Sequence, residues 1–356
     1  MSEAGQKRDR RTARQRLFEA PSIDRMAPVS GFLVYAALVL WTLVVLFPIY
    51  WILITSFKTA IDVNRGPVYL PWIDFTPSLN AWNDLLIIDF GDTVKAYTNS
   101  LIISTTSTLL CITIGTMAAY ALARFNYRPK FGNIFAFAII LIAAVATIAL
   151  FKVDWRVTSA TAAGLFFLFI RAAGRRMKGT VGNGDILFWM ISQRILPPVV
   201  VVVPIYLMFQ SVSLLDTQLA LTLTYCVANL PIVVWLMHDF FATIPLDMEE
   251  SAQIDGATRF AIFWDIVLPL TKNGLVATAL LILIFSWNEY LLALFLSTSK
   301  AQTMPILVAA MNAGDRGILW WTMCVVIIVM IVPVVLLTLF LQRFIAKGLL
   351  LGAVKG

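Results

Sequence analysis

Long apolar runs, almost free of charge, recur along the whole chain and limit what it can fold into. About 20 mostly apolar residues are needed for a helix to cross the hydrocarbon core of a bilayer. Eight stretches read as such spans: 30–57, 97–123, 133–151, 157–170, 185–209, 218–237, 274–296 and 319–341. The fourth is short for a crossing and also fits half of a re-entrant hairpin. A membrane β-barrel is disfavoured, because its strands alternate polar and apolar residues. Composition excludes two further classes, since 60% of the 356 residues are hydrophobic and only 13% are charged. A soluble domain carries about a quarter charged residues, and a disordered chain lacks this hydrophobicity. The expected fold class is an all-α polytopic membrane protein.

The net charge of +7 is unevenly placed. Lys7, Arg8, Arg10, Arg11, Arg14, Arg16 and Arg25 crowd the tail ahead of the first span. Lys and Arg collect on the cytoplasmic side of membrane proteins. With the N-terminus inside, cytoplasmic segments hold 19 Lys and Arg residues. External segments hold 7, namely Lys58, Arg65, Lys95, Lys152, Arg156, Lys300 and Arg316. Eight spans with that bias place both termini in the cytoplasm, and removing the third and fourth spans as a pair leaves the orientation unchanged. A basic tail before an apolar helix marks sidedness more simply than nucleic-acid binding, so no nucleic-acid partner is expected. The first span is too long for a cleaved leader and reads as an uncleaved anchor. Cys111, Cys226 and Cys324 stand alone in apolar segments, so neither a disulfide framework nor a metal site is expected.

Two loops exceed what a connection needs. The external loop 58–96 is acidic, with Asp62, Asp74, Asp84, Asp89 and Asp92. The cytoplasmic loop 238–273 is more informative. Pro245 suits the first position of a helix, and Asp247, Glu249 and Glu250 favour its positive start. Gly256 suits the left-handed residue beyond a helix end. These signals define a helix of about ten residues, followed by a second helical piece over 257–266 that ends near Pro269. So short a helix is marginal alone and needs a surface to pack on. Leu246, Glu249, Glu250 and Gln253 lie at three- and four-residue offsets and share a face. Ala252 and Gly256 are small enough to allow close approach. No Lys or Arg occurs between Phe240 and Thr258, so anionic lipid repels this helix. A protein partner is expected.

Glu250-Ser251-Ala252, then Gly256, then Ile266 with Leu268-Pro269 follow the spacing E-A-A, three residues, G, nine residues, I-x-L-P. In this the chain resembles the permease subunits of binding-protein-dependent ABC importers, with Ser251 replacing the middle alanine. Asn99-Ser100, Leu196-Pro197-Pro198, Asn229-Leu230-Pro231 and Trp287-Asn288-Glu289 resemble the carbohydrate-uptake subfamily, as does the tail with Gln342-Arg343, Gly348 and Gly352-Ala353-Val354-Lys355-Gly356. The closest likeness is to the maltose-importer type, over 31–123 and 185–356. It implies a permease fold of six core transmembrane helices in a bacterial inner (cytoplasmic) membrane. The region 133–184 departs from it and reads as an inserted helical hairpin. The organisation is then a basic tail (1–29), two spans with a long external loop (30–123), the insertion with its basic exit (124–184), and the core permease helices (185–356) containing the loop 238–273.

The resemblance also implies partners: a second permease subunit forming a heterodimer, two ATP-binding subunits, an extracytoplasmic solute-binding protein, and membrane lipid. The loop becomes a coupling helix seated in a groove of the ATP-binding subunit. Glu249, Glu250, Ser251, Ala252, Asp255, Gly256, Leu268 and Pro269 form the coupling set. Within it Glu250 and Ala252 face the groove, Gly256 makes the bend, and Leu268-Pro269 lead back to the membrane. Glu249 lies outside the signature. ATP and Mg belong to the separate ATPase, so neither a bound cofactor nor a catalytic residue is expected here. A phosphate-cradling loop needs G-x-x-x-x-G-K-[ST] after a strand. The nearest run, 174–180, lacks that Lys and follows a helix.

A translocation path must be polar inside an apolar medium. Gln193, Arg194, Asn229, Trp287, Asn288, Glu289 and Tyr290 are the candidates, and such amides, acids and rings suit a sugar's hydroxyls and faces. Arg194 also fits snorkelling towards the cytoplasm, and Glu289 fits a structural pairing with another subunit. The loop 297–318 would, by resemblance, touch the binding protein. Two other functions compete. One is an ion-coupled secondary transporter using Glu289 and Arg194 as its coupling pair. The other is an intramembrane hydrolase, for which the single His238 and the absence of a nucleophile elbow speak poorly. Neither explains an acidic docking helix.

Overall fold

The computed structural model describes residues 27–87, 90–174, 179–312 and 319–353. The basic tail before residue 27, the basic exit 175–178, the loop 313–318 and the last residues 354–356 lie outside the described residues. In chain order the helices are α1 (Pro28–Thr55), α2 (Ala60–Asn64), α3 (Asn80–Ile87), α4 (Phe90–Arg124), α5 (Phe131–Phe151), α6 (Trp155–Phe169), α7 (Asn183–Ile195), α8 (Pro198–Ser211), α9 (Gln218–Ala242), α10 (Leu246–Ile254), α11 (Arg259–Leu270), α12 (Lys272–Trp287), α13 (Leu291–Leu296), α14 (Met304–Met311) and α15 (Trp320–Ala353). Among the described residues there is no strand, only isolated bridges.

Among the described residues, five helices are long and apolar enough to cross a membrane, or up to seven if each of two bent pairs counts as one span. The first bent pair interrupts what the sequence reads as continuous, whereas the second breaks at Thr271, where the sequence already places a boundary. The stretch 185–209 becomes α7 and α8, which meet at 91°. Pro197 and Pro198 cause this break, because proline supplies no N–H and forces the preceding residue out of helical geometry. The stretch 274–296 stops at Trp287 and resumes as α13, and α12 meets α11 at 80° across Thr271. The expected span 157–170 is α6, about 22 Å of α-helix at 1.5 Å per residue, which runs on without a break into a π-helical turn over Ile170–Gly174.

The chain forms two compact units. One takes the described residues up to Gly91 with Ala310–Val329, and the other takes Asp92–Ala309 and the residues from Met330 on. In the first unit the acidic loop after α1 folds on itself. Thr59 and Asp62 cap α2 reciprocally, the Asp62 N–H donating to Thr59 Oγ1 (3.3 Å) and the Thr59 N–H to Asp62 Oδ2 (3.2 Å). Lys58, only 2% exposed, donates to the Val68 carbonyl (2.8 Å) and lies 4.2 Å from the centre of the Trp51 ring. Asp74 accepts the N–H groups of Tyr69 and Leu70, both at 2.9 Å.

The second unit holds two apolar clusters. One joins α4, α9, α11 and α12 through Cys111, Tyr120, Val233, Met237, Phe241, Phe263 and Ile282. The other joins α4, α8, α9, α13 and α14 through Ile103, Phe209, Leu221, Tyr225, Leu296 and Ile306. Glycines let these helices approach closely, as small residues do in membrane bundles. A methyl group on Gly115 would lie 2.6 Å from Val233 Cγ1, and one on Gly274 would lie 2.6 Å from Cγ and Cδ2 of Phe240. Gly274→Ala is therefore expected to destabilise the α9–α12 contact by about 1–3 kcal/mol through overpacking. A thermal melt in detergent reads this out, and an unchanged melting temperature would mean the Phe240 ring swings aside freely.

The region 133–184 forms a hairpin of α5 and α6, with Phe137 and Phe166 in edge contact at 5.2 Å. Its two ends are tied together at the base. The Phe131 N–H donates to the Gly179 carbonyl (3.2 Å) and the Val181 N–H to the Pro129 carbonyl (2.9 Å). Asn183 Nδ2 donates to the carbonyls of Leu122 and Phe125, both at 2.7 Å, which satisfies the open end of α4. The hairpin thus leaves and rejoins the chain at one place.

Candidate functional site

The helix α10 follows α9 after a three-residue link. Pro245 occupies the capping position just before it, one place earlier than the sequence implies. At its other end the Gly256 N–H donates to the Gln253 carbonyl and the Ala257 N–H to the Ala252 carbonyl, both at 3.0 Å. That pair of bonds is the Schellman arrangement, and it requires a left-handed residue. Gly256 supplies it with φ +87°.

The two faces of α10 reverse the usual amphipathic order. Outward stand Leu246, Met248, Glu250, Ser251 and Ile254, the last 87% exposed. Asp255 and Gly256 are exposed as well, while Ala252 is half-buried against the first apolar cluster. Inward stands Glu249, which is only 1% exposed. Its Oε1 accepts Arg124 Nε (2.6 Å) and its Oε2 accepts the Tyr120 hydroxyl (2.9 Å). Arg124 Nη2 donates further to the carbonyls of Phe241 (2.9 Å) and Ile244 (3.0 Å), at the end of α9. Glu249, grouped by the sequence with the outward acids, is therefore corrected to an internal anchor. Burying a carboxylate is tolerable here because a guanidinium and a hydroxyl satisfy both of its oxygens. Arg124 carries a role that sequence reasoning missed by counting it only as a charge marking sidedness. The available signal was Tyr120 and Arg124 four residues apart on one helix face. Leu268 is half-buried and Pro269 exposed, both in the last turn of α11 before the 80° bend.

The polar candidates for a path fall into two groups. Arg194 Nη2 donates to Asn229 Oδ1 (3.1 Å), and Nη1 to the Ala228 carbonyl (3.0 Å). Asn229 Nδ2 donates to Ser286 Oγ (3.3 Å), and Arg194 also lies 5.5 Å from the Phe285 ring centre. Gln193 is exposed beside Arg194. The second group surrounds the break after α12. Glu289 Oε1 accepts the Leu292 N–H (3.1 Å) and so caps α13, while Asn288 Nδ2 donates to the Ile284 carbonyl (2.8 Å). Tyr290 is exposed. Trp287 departs from the expectation of an open stacking face. It is buried, its Nε1 donates to the Met330 carbonyl (3.1 Å), and Tyr97 meets its ring edge-on at 5.7 Å. Arg194 and Glu289 each have their own partners and are not paired with one another.

At the opposite end of α4, side chains hold the segment after α13. Asn99 Nδ2 donates to the carbonyls of Lys300 and Gln302 (2.9 Å each), and its Oδ1 accepts Gln218 Nε2 (2.7 Å). Ser100 Oγ accepts the Met304 N–H (2.8 Å). Asp216, itself left-handed with φ +58°, accepts the N–H groups of Thr298, Lys300 and Ala301 at 3.0 Å and the Thr298 hydroxyl at 2.8 Å. Partial burial works against its charge, but these donors prevail and hold the carboxyl well below the usual carboxylate range. A depressed pKa adds stability that is full above about pH 4 and is lost as pH falls further. Asp216→Asn is accordingly expected to melt below the parent protein at pH 7, with the gap narrowing below about pH 4. A gap that stays constant with pH would remove the carboxylate from this account.

A family model described as "Binding-protein-dependent transport system inner membrane component" matches residues 111–350. The chain belongs to this family. Among its relatives, the trehalose transport system permease protein SugB of Mycobacterium tuberculosis is 30% identical over 328 residues, covering 89% of this chain and 96% of that protein. The diacetylchitobiose uptake system permease protein NgcG of Streptomyces coelicolor is 28% identical over 340 residues, covering 94% and 91%. A crystal structure of a bacterial ABC transporter involved in the import of the acidic polysaccharide alginate shares the fold, with TM-score 0.58 and 20% identity, covering 91% of this chain and 99% of that one. The chain is thus a multi-pass ABC importer permease of the inner membrane. The matched stretch includes α10, its Arg124 anchor and the Arg194–Asn229 group.

Proposed function

We propose that this permease is one of two membrane subunits of an ATP-driven importer for a sugar or sugar-like solute. The observation that carries the reading is α10. It is a nine-residue helix, anchored from behind by a buried ion pair and presenting Leu246, Met248, Glu250, Ser251 and Ile254 to whatever covers it. Exposed apolar residues beside acids suit a groove on a separate ATP-binding subunit, in which ATP and Mg would be held. Relatives named for trehalose and diacetylchitobiose support a carbohydrate cargo. Asn229, Arg194, Gln193, Asn288, Glu289 and Tyr290 would line its path, offering donors, acceptors and one ring. Six core helices with the hairpin inserted make eight crossings, with both termini in the cytoplasm. In that orientation α10 is cytoplasmic, and the segment held by Asn99 and Asp216 faces the solute receptor.

Co-purification tests this directly. The expected set is a second permease subunit, two ATP-binding subunits and a soluble receptor carrying the sugar, with ATP hydrolysis by the assembly and none by the lone chain. Hydrolysis by the lone chain, or uptake abolished by a proton ionophore at unchanged ATP, would overturn the reading.

A further inference from the structure

We propose that α4 acts as a rigid strut that couples the docking helix at one end to the receptor-side segment 300–304 at the other. The proposal rests on the importer reading above and adds to it a route between its two working ends. The family signature lies in the loop around α10, but the structure fastens that loop to a different helix. Tyr120 and Arg124, on the last turns of α4, hold both oxygens of Glu249, and Arg124 also holds the carbonyls of Phe241 and Ile244. Both members of the ion pair are buried, with side-chain exposures of 5% for Arg124 and 2% for Glu249. Any displacement of α10 must therefore carry α4 with it or break a buried charge pair, and breaking one is strongly unfavourable.

The other end of α4 is gripped as firmly. Asn99 is 4% exposed and Ser100 is 3% exposed. Between them they bond Lys300, Gln302, Gln218 and the Met304 N–H. From Asn99 to Arg124 the helix rises about 37 Å. It contains no proline along its 35 residues. The alternatives are interrupted: α9 carries Pro231 within it, and the α7–α8 and α11–α12 pairs bend by 91° and 80°. Close packing at Gly115 against Val233 stiffens the middle of α4. A packed element of this kind moves as a body and does not bend by degrees.

A double-mutant cycle in the assembled importer tests this. Receptor-stimulated ATP hydrolysis is measured for the parent, Glu249→Gln, Asn99→Ala and the double variant. Glu249→Gln keeps the shape and removes the charge that Arg124 pairs with. Asn99→Ala removes three hydrogen bonds at the far end. Each is expected to cut the stimulation by about five-fold or more, and the double variant should be no worse than the worse single, because both cut one element. Effects that multiply would overturn the proposal. Coupling free energies are reciprocal, so Glu249→Gln should also flatten the ATP-dependent change in receptor affinity, and Asn99→Ala, which leaves the docking end untouched, should flatten it as well. An unchanged affinity response would likewise overturn it. Should the Glu249→Gln complex fail to assemble, Ser100→Ala paired with Asn99→Ala reads the same effect from the receptor end, and full stimulation in that pair would overturn it. A parent complex with no receptor stimulation removes the importer reading itself, a result distinct from loss in the variants alone.

Discussion

Replacing Arg124 by alanine is expected to destabilise the permease by about 3–5 kcal/mol, the usual cost of leaving a buried charge without its partner. Glu249 would keep only the Tyr120 hydroxyl, and the carbonyls of Phe241 and Ile244 would lose their donor. Arg124→Lys should recover only part of this, because a single ammonium cannot reach the carboxylate and both carbonyls in the fork geometry of a guanidinium. A solvated pair at the same place would contribute at most about 1 kcal/mol. Thermal or denaturant melts in detergent separate the two cases. A loss below about 1 kcal/mol would show that water reaches Glu249 and that the pair is a surface pair.

The second large effect is functional. Gly256→Ile should leave the protein inserted in the membrane while disabling transport. The space is open, since nothing lies within 4 Å of where its Cβ would sit, but the backbone is at φ +87°. A β-branched residue there costs about 1–3 kcal/mol in backbone strain. The cheapest relief is to unwind the end of α10, because the Schellman bonds to Ala252 and Gln253 depend on that conformation. At 1.4 kcal/mol per tenfold, docking weakens by roughly 5- to 150-fold. Uptake into whole cells, compared with the amount of inserted protein on a blot, measures this. Normal uptake by the variant would count against α10 as the docking element.

Local signals made much of α10 legible in advance. Its start near Pro245 and its stop at Gly256 are set by chemistry within a few residues, and the structure displaces the proline by one position only. The spacing to Leu268-Pro269 was likewise readable, although the second helical piece runs on to Leu270. What each face meets was not readable. The offset pattern placed Leu246, Glu249 and Glu250 together, yet Leu246 and Glu250 are exposed while Glu249 is buried. The decision belonged to Arg124, 125 positions earlier in the chain. Trp287 shows the same limit, since its burial depends on Tyr97 and on the carbonyl of Met330. The broken spans were half visible: Pro197-Pro198 stood in the sequence, but hydropathy averages across a bend.

By itself, then, the sequence determined that this chain lives in a membrane, that it is helical, and that it offers a short helix of ABC importer permease type. Those properties follow from apolar length and from bonds between near neighbours. Only the tertiary structure decided which acid of that helix faces inward, where the apparent spans break, and which helix ties α10 to the segment beyond α13. Those choices are made by side chains far apart in sequence, because a buried charge or amide is stable only where the fold brings it a partner.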